Sequence, residues 1–311
     1  MSQPSIDEFL LRHAPSPPLP VDARLLEARA SISTALAELS RVPDSVLERP
    51  WRWRDHEMDV RYGFYRQYEL LEHTRAALAP GLSAAFAGQP AGRPLAAAAT
   101  AARWSAHGLL AGLSDDDLDA DPGNGEWTVR QTLGHMINGQ RAYGWFTAWW
   151  LSQRHVPAAE QHDQVPDGVG SDFPDEADEA PGSLLDVRRR LDDIVDLSAG
   201  VFAPLGDEEL AARARWSGVT VDVRFRVTRW SSHMREHTIQ AEKTLAMIGH
   251  PLTEVERLVR LIAAAWGRLE ADLYLWPAGT PAVAEALKGG RSAAAAIATD
   301  AAQVRAAATG D

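Results

Sequence analysis

This sequence predicts an all-α fold on three observations. Apolar residues recur at helical spacing in eight separate stretches, while strand-type alternation is confined to one short run. Helix start and stop signals bracket several stretches. Thr128 with Gln131 forms a T-x-x-Q capping box, and Gly249 followed by Pro251 ends the helix before it. The chain has 311 residues, 45% of them hydrophobic, which is enough for one large core or two ordinary ones.

The elements follow in order. Residues 1–20 are Pro-rich and read as a flexible arm. Residues 22–39 form a helix carrying Leu25, Leu26, Ile32, Leu36 and Leu39 on one stripe, and a connector runs from Pro43 to Trp53. A second helix covers 57–79, and the glycines and prolines of GLSAAFAGQPAGRP make a linker. The third helix spans 95–113, the loop SDDDLDADPGNGEW follows, and the fourth helix runs over 128–152. Residues 153–182 hold eight acidic residues and one arginine with no apolar period, which predicts a long mobile loop. A fifth helix covers 183–203.

The sixth helix is placed at 220–248, and its start is ambiguous. Val219, Val221, Val223, Phe225 and Val227 alternate like a strand, but Val223, Val227, Trp230, Met234, His237, Ala241 and Ile248 hold a helical stripe. Its length favours helix. Residues 252–275 and the Ala-rich 281–308 complete the set.

An internal duplication is also visible. LAELS at 36–40 matches LAGLS at 110–114, and in both copies a Trp (Trp53, Trp127) stands at the same distance beyond the Ser. Val60-Arg61 then resembles Val129-Arg130 after a slip. The first copy has Arg61 or Arg66 where the second has a histidine, and arginine cannot ligate a cation.

Composition excludes several functions. A net charge of −12 argues against a nucleic-acid-binding face and against an anionic membrane surface. No uninterrupted apolar run is long enough to span a bilayer. The opening MSQPSIDEFLLRHAPSPPLP lacks the basic start and apolar run of a signal peptide, so a cytoplasmic protein is expected. With no cysteine there is neither a disulfide nor a thiolate ligand, and any thiol chemistry needs a thiol from a substrate or cofactor.

Three histidines carry the candidate chemistry. His233 and His237 stand i, i+4 and share a helix face, and His135 lies on another predicted helix, near its apolar stripe. Three neutral imidazoles suffice for a metal site with one open position, and they suit zinc, nickel or iron alike. The set could equally be unrelated core and surface histidines. Of the other seven, His13, His155, His162 and His250 fall in arms, loops or helix ends, and His56, His73 and His107 read as solvent-facing.

Glu236 precedes the second histidine in H-M-R-E-H, so it points away from the ligand face and does not play the part of the zinc-protease glutamate. Asn138 and Gln240, each three residues past a histidine, could donate hydrogen bonds behind the ligands. Arg235 could meet a carboxylate on a ligand or make a surface ion pair. Trp127, Trp145, Trp149, Trp150 and Trp230 flank the set in sequence, either as pocket wall or as ordinary packing.

The segments WTVRQTLGH, opened by Trp127 and preceded by the L-S-D-D-D-L-D-A loop, and WSSHMREHTIQ resemble the DinB/YfiT-like superfamily over about residues 95–250. The resemblance implies a four-helix bundle with metal ligands His135, His233 and His237, and relatives that transfer mycothiol or bacillithiol or isomerise maleylpyruvate. The expected organisation is then a flexible arm at 1–20, an N-terminal helix pair at 22–90 as a degenerate repeat, and a metal-binding bundle at 95–250 holding the acidic loop 153–182. C-terminal helices at 252–311 pack with the N-terminal pair, as a second, degenerate bundle.

The expected activity is metal-dependent transfer of a low-molecular-weight thiol to an electrophilic small-molecule substrate, with Trp127, Asn138, Arg235 and Gln240 near the cofactor. No residue is assigned a catalytic acid or base. The alternatives are a metal-dependent hydrolase and a helical interaction module without catalysis. The duplication could replace a homodimer, or a homodimer could form as well.

Overall fold

Helices dominate because the apolar stripes are long and the start signals are satisfied. The computed structural model describes residues 7–53, 55–157, 159–276 and 280–310. In chain order these form α1 (Glu8–His13), α2 (Ala23–Leu39), β1 (Pro50–Trp53), β2 (His56–Asp59), α3 (Val60–Phe86), α4 (Gly92–Leu109), α5 (Asp115–Asp119) and α6 (Val129–Ser152). Then come α7 (Glu176–Glu179), α8 (Leu184–Phe202), α9 (Asp207–Leu210), β3 (Arg213–Trp216), β4 (Val219–Asp222), α10 (Val223–Met247), α11 (Glu254–Leu273) and α12 (Pro281–Thr309). No helix among the described residues is long and apolar enough to cross a membrane.

Two hydrophobic cores divide these elements. The central core gathers residues of α4, α6, α8 and α10, among them Met136, Ile137, Leu191, Ile194, Val227 and Met234. The outer core gathers α2, α3, α11 and α12 around Ile32, Leu36, Phe64, Trp266, Ile297 and Val304. The chain therefore starts in the outer core, builds the central one and returns. The cores meet where α4 lies against α11. A Cβ on Gly267 would sit 2.8 Å from Trp104 Cβ, and one on Gly108 2.8 Å from Ala263 Cβ, so both glycines let the two backbones approach.

A buried polar cluster seals this seam. Glu270, fully buried, accepts from Arg29, Arg103 and Thr100 and from the indole N–H groups of Trp104 (2.7 Å) and Trp266 (3.0 Å). Asp196 accepts from the same two arginines and from the Tyr274 hydroxyl. Burial pushes the Glu270 carboxyl up, but Arg29 and Arg103 outweigh it and hold the group below its ordinary range.

Two antiparallel hairpins were not anticipated. β1 pairs with β2, and β3 with β4, each over four residues. The first replaces the expected connector from Pro43 to Trp53 and delays the following helix to Val60. The second resolves the ambiguous start of the sixth helix. The alternating valines are strand as far as Asp222, whose side chain then caps α10 by accepting from the Phe225 N–H.

The hairpins also set a different repeat frame. From α2 through α3 and from α8 through α10, equivalent boundaries recur at one constant spacing: Leu39 with Phe202, Pro50 with Arg213, His56 with Val219, Val60 with Val223. Arg52-Trp53 matches Arg215-Trp216, Asp59-Val60-Arg61 matches Asp222-Val223-Arg224, and Arg66 matches Arg229. Val60-Arg61 thus follows its hairpin as Val223-Arg224 follows the second one, whereas Val129-Arg130 follows no hairpin. LAELS and LAGLS are ends of non-equivalent helices.

The arm is also corrected. Its described part, from residue 7 on, is docked: Leu10 is buried, Phe9 stacks on Trp145 with ring centroids 4.5 Å apart, and Asp7 pairs with Arg141. Residues 1–6 lie outside the described residues.

Candidate metal centre

The site lies where α6 and α10 run side by side. Thr128 and Gln131 close the capping box at the start of α6, which places His135 two turns in. His233 and His237 face it from α10. Gly139 makes the approach possible, because a Cβ there would lie 2.3 Å from His233 Cε1.

The three side chains can each turn one nitrogen to a common point, with all three atoms within 4.8 Å of one another. His135 Nε2 and His233 Nε2 are 3.3 Å apart. Two nitrogens each about 2.0–2.1 Å from a tetrahedral ion are separated by roughly 3.3 Å, so the spacing fits one.

The outer nitrogens set the tautomers. His135 Nδ1–H donates to Glu176 Oε1 at 2.6 Å, and His237 Nδ1–H donates to Gln240 Oε1 at 2.7 Å. Each bond leaves the inner nitrogen with its lone pair free. The buried His233 Nδ1 has no hydrogen-bond partner among the described residues. Burial pulls His233 down to about 3, helped by repulsion from His237 and His135, and burial also lowers His237. Both imidazoles are neutral near pH 7 and able to ligate.

The neighbours differ in part from expectation. Gln240 supports His237 but accepts rather than donates. Asn138 makes no hydrogen bond to His135 among the described residues; its Nδ2 donates to the Pro174 carbonyl at 2.7 Å and so anchors the acidic segment. Arg235 is exposed on α10, and Glu236 pairs with Arg229 along the helix surface. Trp127 is 37% exposed and packs its ring 5.1 Å from that of His135. Trp145, Trp149, Trp150 and Trp230 are buried. His107 is also buried, bound to Asp192 at 2.8 Å, not solvent-facing.

The acidic segment is not a loose loop. Its second half is strapped to α6 by Asn138 and by Arg141, which binds the buried Glu179 at 2.6 Å. Arg130 donates to the carbonyls of Ala180 and Gly182. Gly134 admits the strap, since a Cβ there would lie 2.5 Å from the Glu176 carbonyl oxygen. The result is Glu176 placed on His135. Sequence reasoning missed Glu176; Pro174-Asp175 ahead of Glu-Ala-Asp-Glu is a helix start that could have flagged it.

A cavity of about 460 Å³ opens beside the histidines, between α6, the β3–β4 turn and residues 163–165. Tyr143, Phe146, Trp150 and Trp216 give it apolar walls, Arg215 in the lining is paired with Asp163, and Arg226 supplies positive charge. The Tyr143 ring stands edge-on to His233, with centroids 5.2 Å apart. Burial raises the Tyr143 hydroxyl, against a hydrogen bond from Arg229, so it stays protonated.

No curated protein and no solved structure matches the chain. Residues 97–241 match the family model of the DinB superfamily, a span that takes in α6, α10 as far as Ala241 and all three histidines. The match supports a DinB-like assignment for this central part of the chain.

Proposed function

We propose that His135, His233 and His237 hold one divalent metal ion and that the protein is a metal-dependent enzyme transferring a low-molecular-weight thiol to an electrophilic small molecule. The observation that carries this reading is the convergence of three imidazole nitrogens, two with their tautomers set from behind by Glu176 and Gln240. A divalent zinc, nickel or iron ion there supplies a Lewis acid that lowers the pKa of a thiol brought to it.

The chain's own residues do the rest. Glu176 and Gln240 orient the ligands. The aromatic walls of the cavity shed water and seat the apolar part of a substrate. The Tyr143 hydroxyl, oriented by Arg229, offers its proton at the cavity edge. With no cysteine in the chain, the thiol in this reading comes from a separate small molecule, of the mycothiol or bacillithiol type and in a cytoplasmic setting. The outer bundle reads as a metal-free duplicate that braces the central one.

The test is the metal content of untagged protein by elemental analysis, followed by thiol-dependent turnover of monochlorobimane. One ion per chain is expected, lost together with turnover in His237→Ala while the helical signal is retained. Undiminished metal in the variant would sink the ligand assignment. One bound ion without thiol turnover points instead to the hydrolase alternative, and metal-free protein to the interaction module.

A further inference from the structure

Arg226 stands apart among the buried arginines. It is only 4% exposed, yet no carboxylate pairs with it among the described residues. Its Nε donates to Thr147 Oγ1 at 3.0 Å and its Nη1 to the Arg215 carbonyl at 2.6 Å, and no partner is found for Nη2. Arg29, Arg103 and Arg141 are buried too, but each meets carboxylates. Arg93 spends its charge on Gln89 and on the two carbonyls at the end of α11, under the Trp276 ring. Arg226 instead lines the cavity that His135 and His233 also line.

A buried guanidinium without a counterion is costly, and burial pulls Arg226 down to about 10. The outer bundle does without such a group. In the outer bundle the equivalent position is Gly63, and the partner position on the strand, Ala214 in the central hairpin, is Trp51. A Cβ on Gly63 would lie 2.9 Å from Trp51 Cζ3 and 2.5 Å from Val304 Cγ2, so an indole and a valine close the space without any charge. His233 and His237 fall opposite Leu70 and Thr74 in the same frame. The histidines and this arginine are therefore absent together from the outer bundle.

We propose that this cavity takes a small molecule with a singly charged anionic group, a carboxylate or sulfonate, seated on Arg226, and an apolar body against Tyr143, Phe146, Trp150 and Trp216. The free donor edge is one nitrogen, which suits a monoanion rather than a phosphate dianion. Arg226 and His233 are seven residues apart on α10, about 10 Å along one helix face, so the far end of such a molecule reaches the histidines. This deepens the proposed function, since it takes the cavity as the substrate site.

The experiment titrates phenylacetate, phenylmethanesulfonate, phenyl phosphate and neutral phenylacetamide into full-length protein, both metal-free and zinc-loaded, read by tryptophan fluorescence and calorimetry. Both monoanions are expected to bind at least tenfold more tightly than the amide, with or without zinc. Arg226→Met is expected to abolish that difference, and Arg226→Lys to keep part of it. Equal binding of acid and amide by the wild-type protein would overturn the proposal, and this needs no variant to fold.

So would a preference that survives Arg226→Met, or one present only with zinc, which places the anion on the ion. Phenyl phosphate outranking both monoanions overturns the single-charge assignment. Zinc stoichiometry is read separately: an Arg226-dependent preference in protein that takes up no zinc refutes the metal reading and leaves this one standing.

Discussion

The central and outer bundles share a hairpin-and-helix frame and differ in what they place on it. Asp59 and Asp222 cap α3 and α10 alike, each accepting from the N–H three residues on, and Trp53 and Trp216 close the strands before them. In the central bundle α10 carries Arg226, His233 and His237; in the outer bundle α3 carries Gly63, Leu70 and Thr74. The frame thus forms with or without a polar site. The site is an addition that brings its own supports: the glycines that admit it and the acidic strap that orients it.

This contrast can be broken at the seam, where the largest change in stability is expected. Glu270→Ala leaves Arg29, Arg103 and two indole N–H groups short of an acceptor. It should cost about 3–5 kcal/mol by chemical denaturation. If the bundles depend on each other, the loss appears as one shifted transition. Two separate transitions would show that the outer bundle stands alone.

Gly139→Ala attacks the central bundle only. The new methyl meets His233, so a loss of about 1–3 kcal/mol is expected in a thermal melt, together with weakened zinc binding in a chelator competition. Unchanged zinc affinity would show that His233 is free to move and is not held against α6. Glu176→Gln should be gentler on the fold and lower zinc affinity by about 10–100-fold, because His135 loses its charged acceptor. A variant that binds zinc as the wild type does would reduce the strap to a packing element.

The smallest effect per unit is a pH dependence confined to the central bundle. In metal-free protein His233 takes a proton only near 3, whereas in the unfolded chain it does so near its ordinary 6.5. Between these values the unfolded chain holds the extra proton, so stability falls as pH drops through that window and is untouched by this group above it. One such group gives a slope of at most about 1.4 kcal/mol per pH unit. Melts of metal-free His233→Gln should be flatter than wild type between about pH 6.5 and pH 4; parallel curves would assign the slope to other groups.

Much of the site was legible from spacing alone. The i, i+4 pair puts His233 and His237 on one face by helical geometry, and the Thr128 capping box fixes where His135 falls on α6. Both signals are local, so they survive in the sequence. Glu176 was not legible, because the acidic strap is held by Arg130, Asn138 and Arg141 through polar contacts that leave no apolar period. The hairpins were missed because strands of four residues are too short to establish alternation against the helical stripe that follows. Arg226 was hidden for a different reason: its oddity lies in the missing counterion, which only the folded neighbourhood reveals.

The nesting of the two cores has a consequence for biosynthesis. Helices α2 and α3 leave the ribosome early, but their partners α11 and α12 follow only after the whole central bundle has been made. At translation rates of roughly 5–20 residues per second, the apolar faces around Ile32, Leu36, Phe64 and Leu71 wait on the order of ten seconds for a core to join. The finished central bundle does not relieve them, because the outer face of α4, with Ala96, Ala97 and Trp104, packs on α11, which is itself still to come. The last-made pair thereby supplies both the partners that the first-made helices lack and the bridge from them to α4.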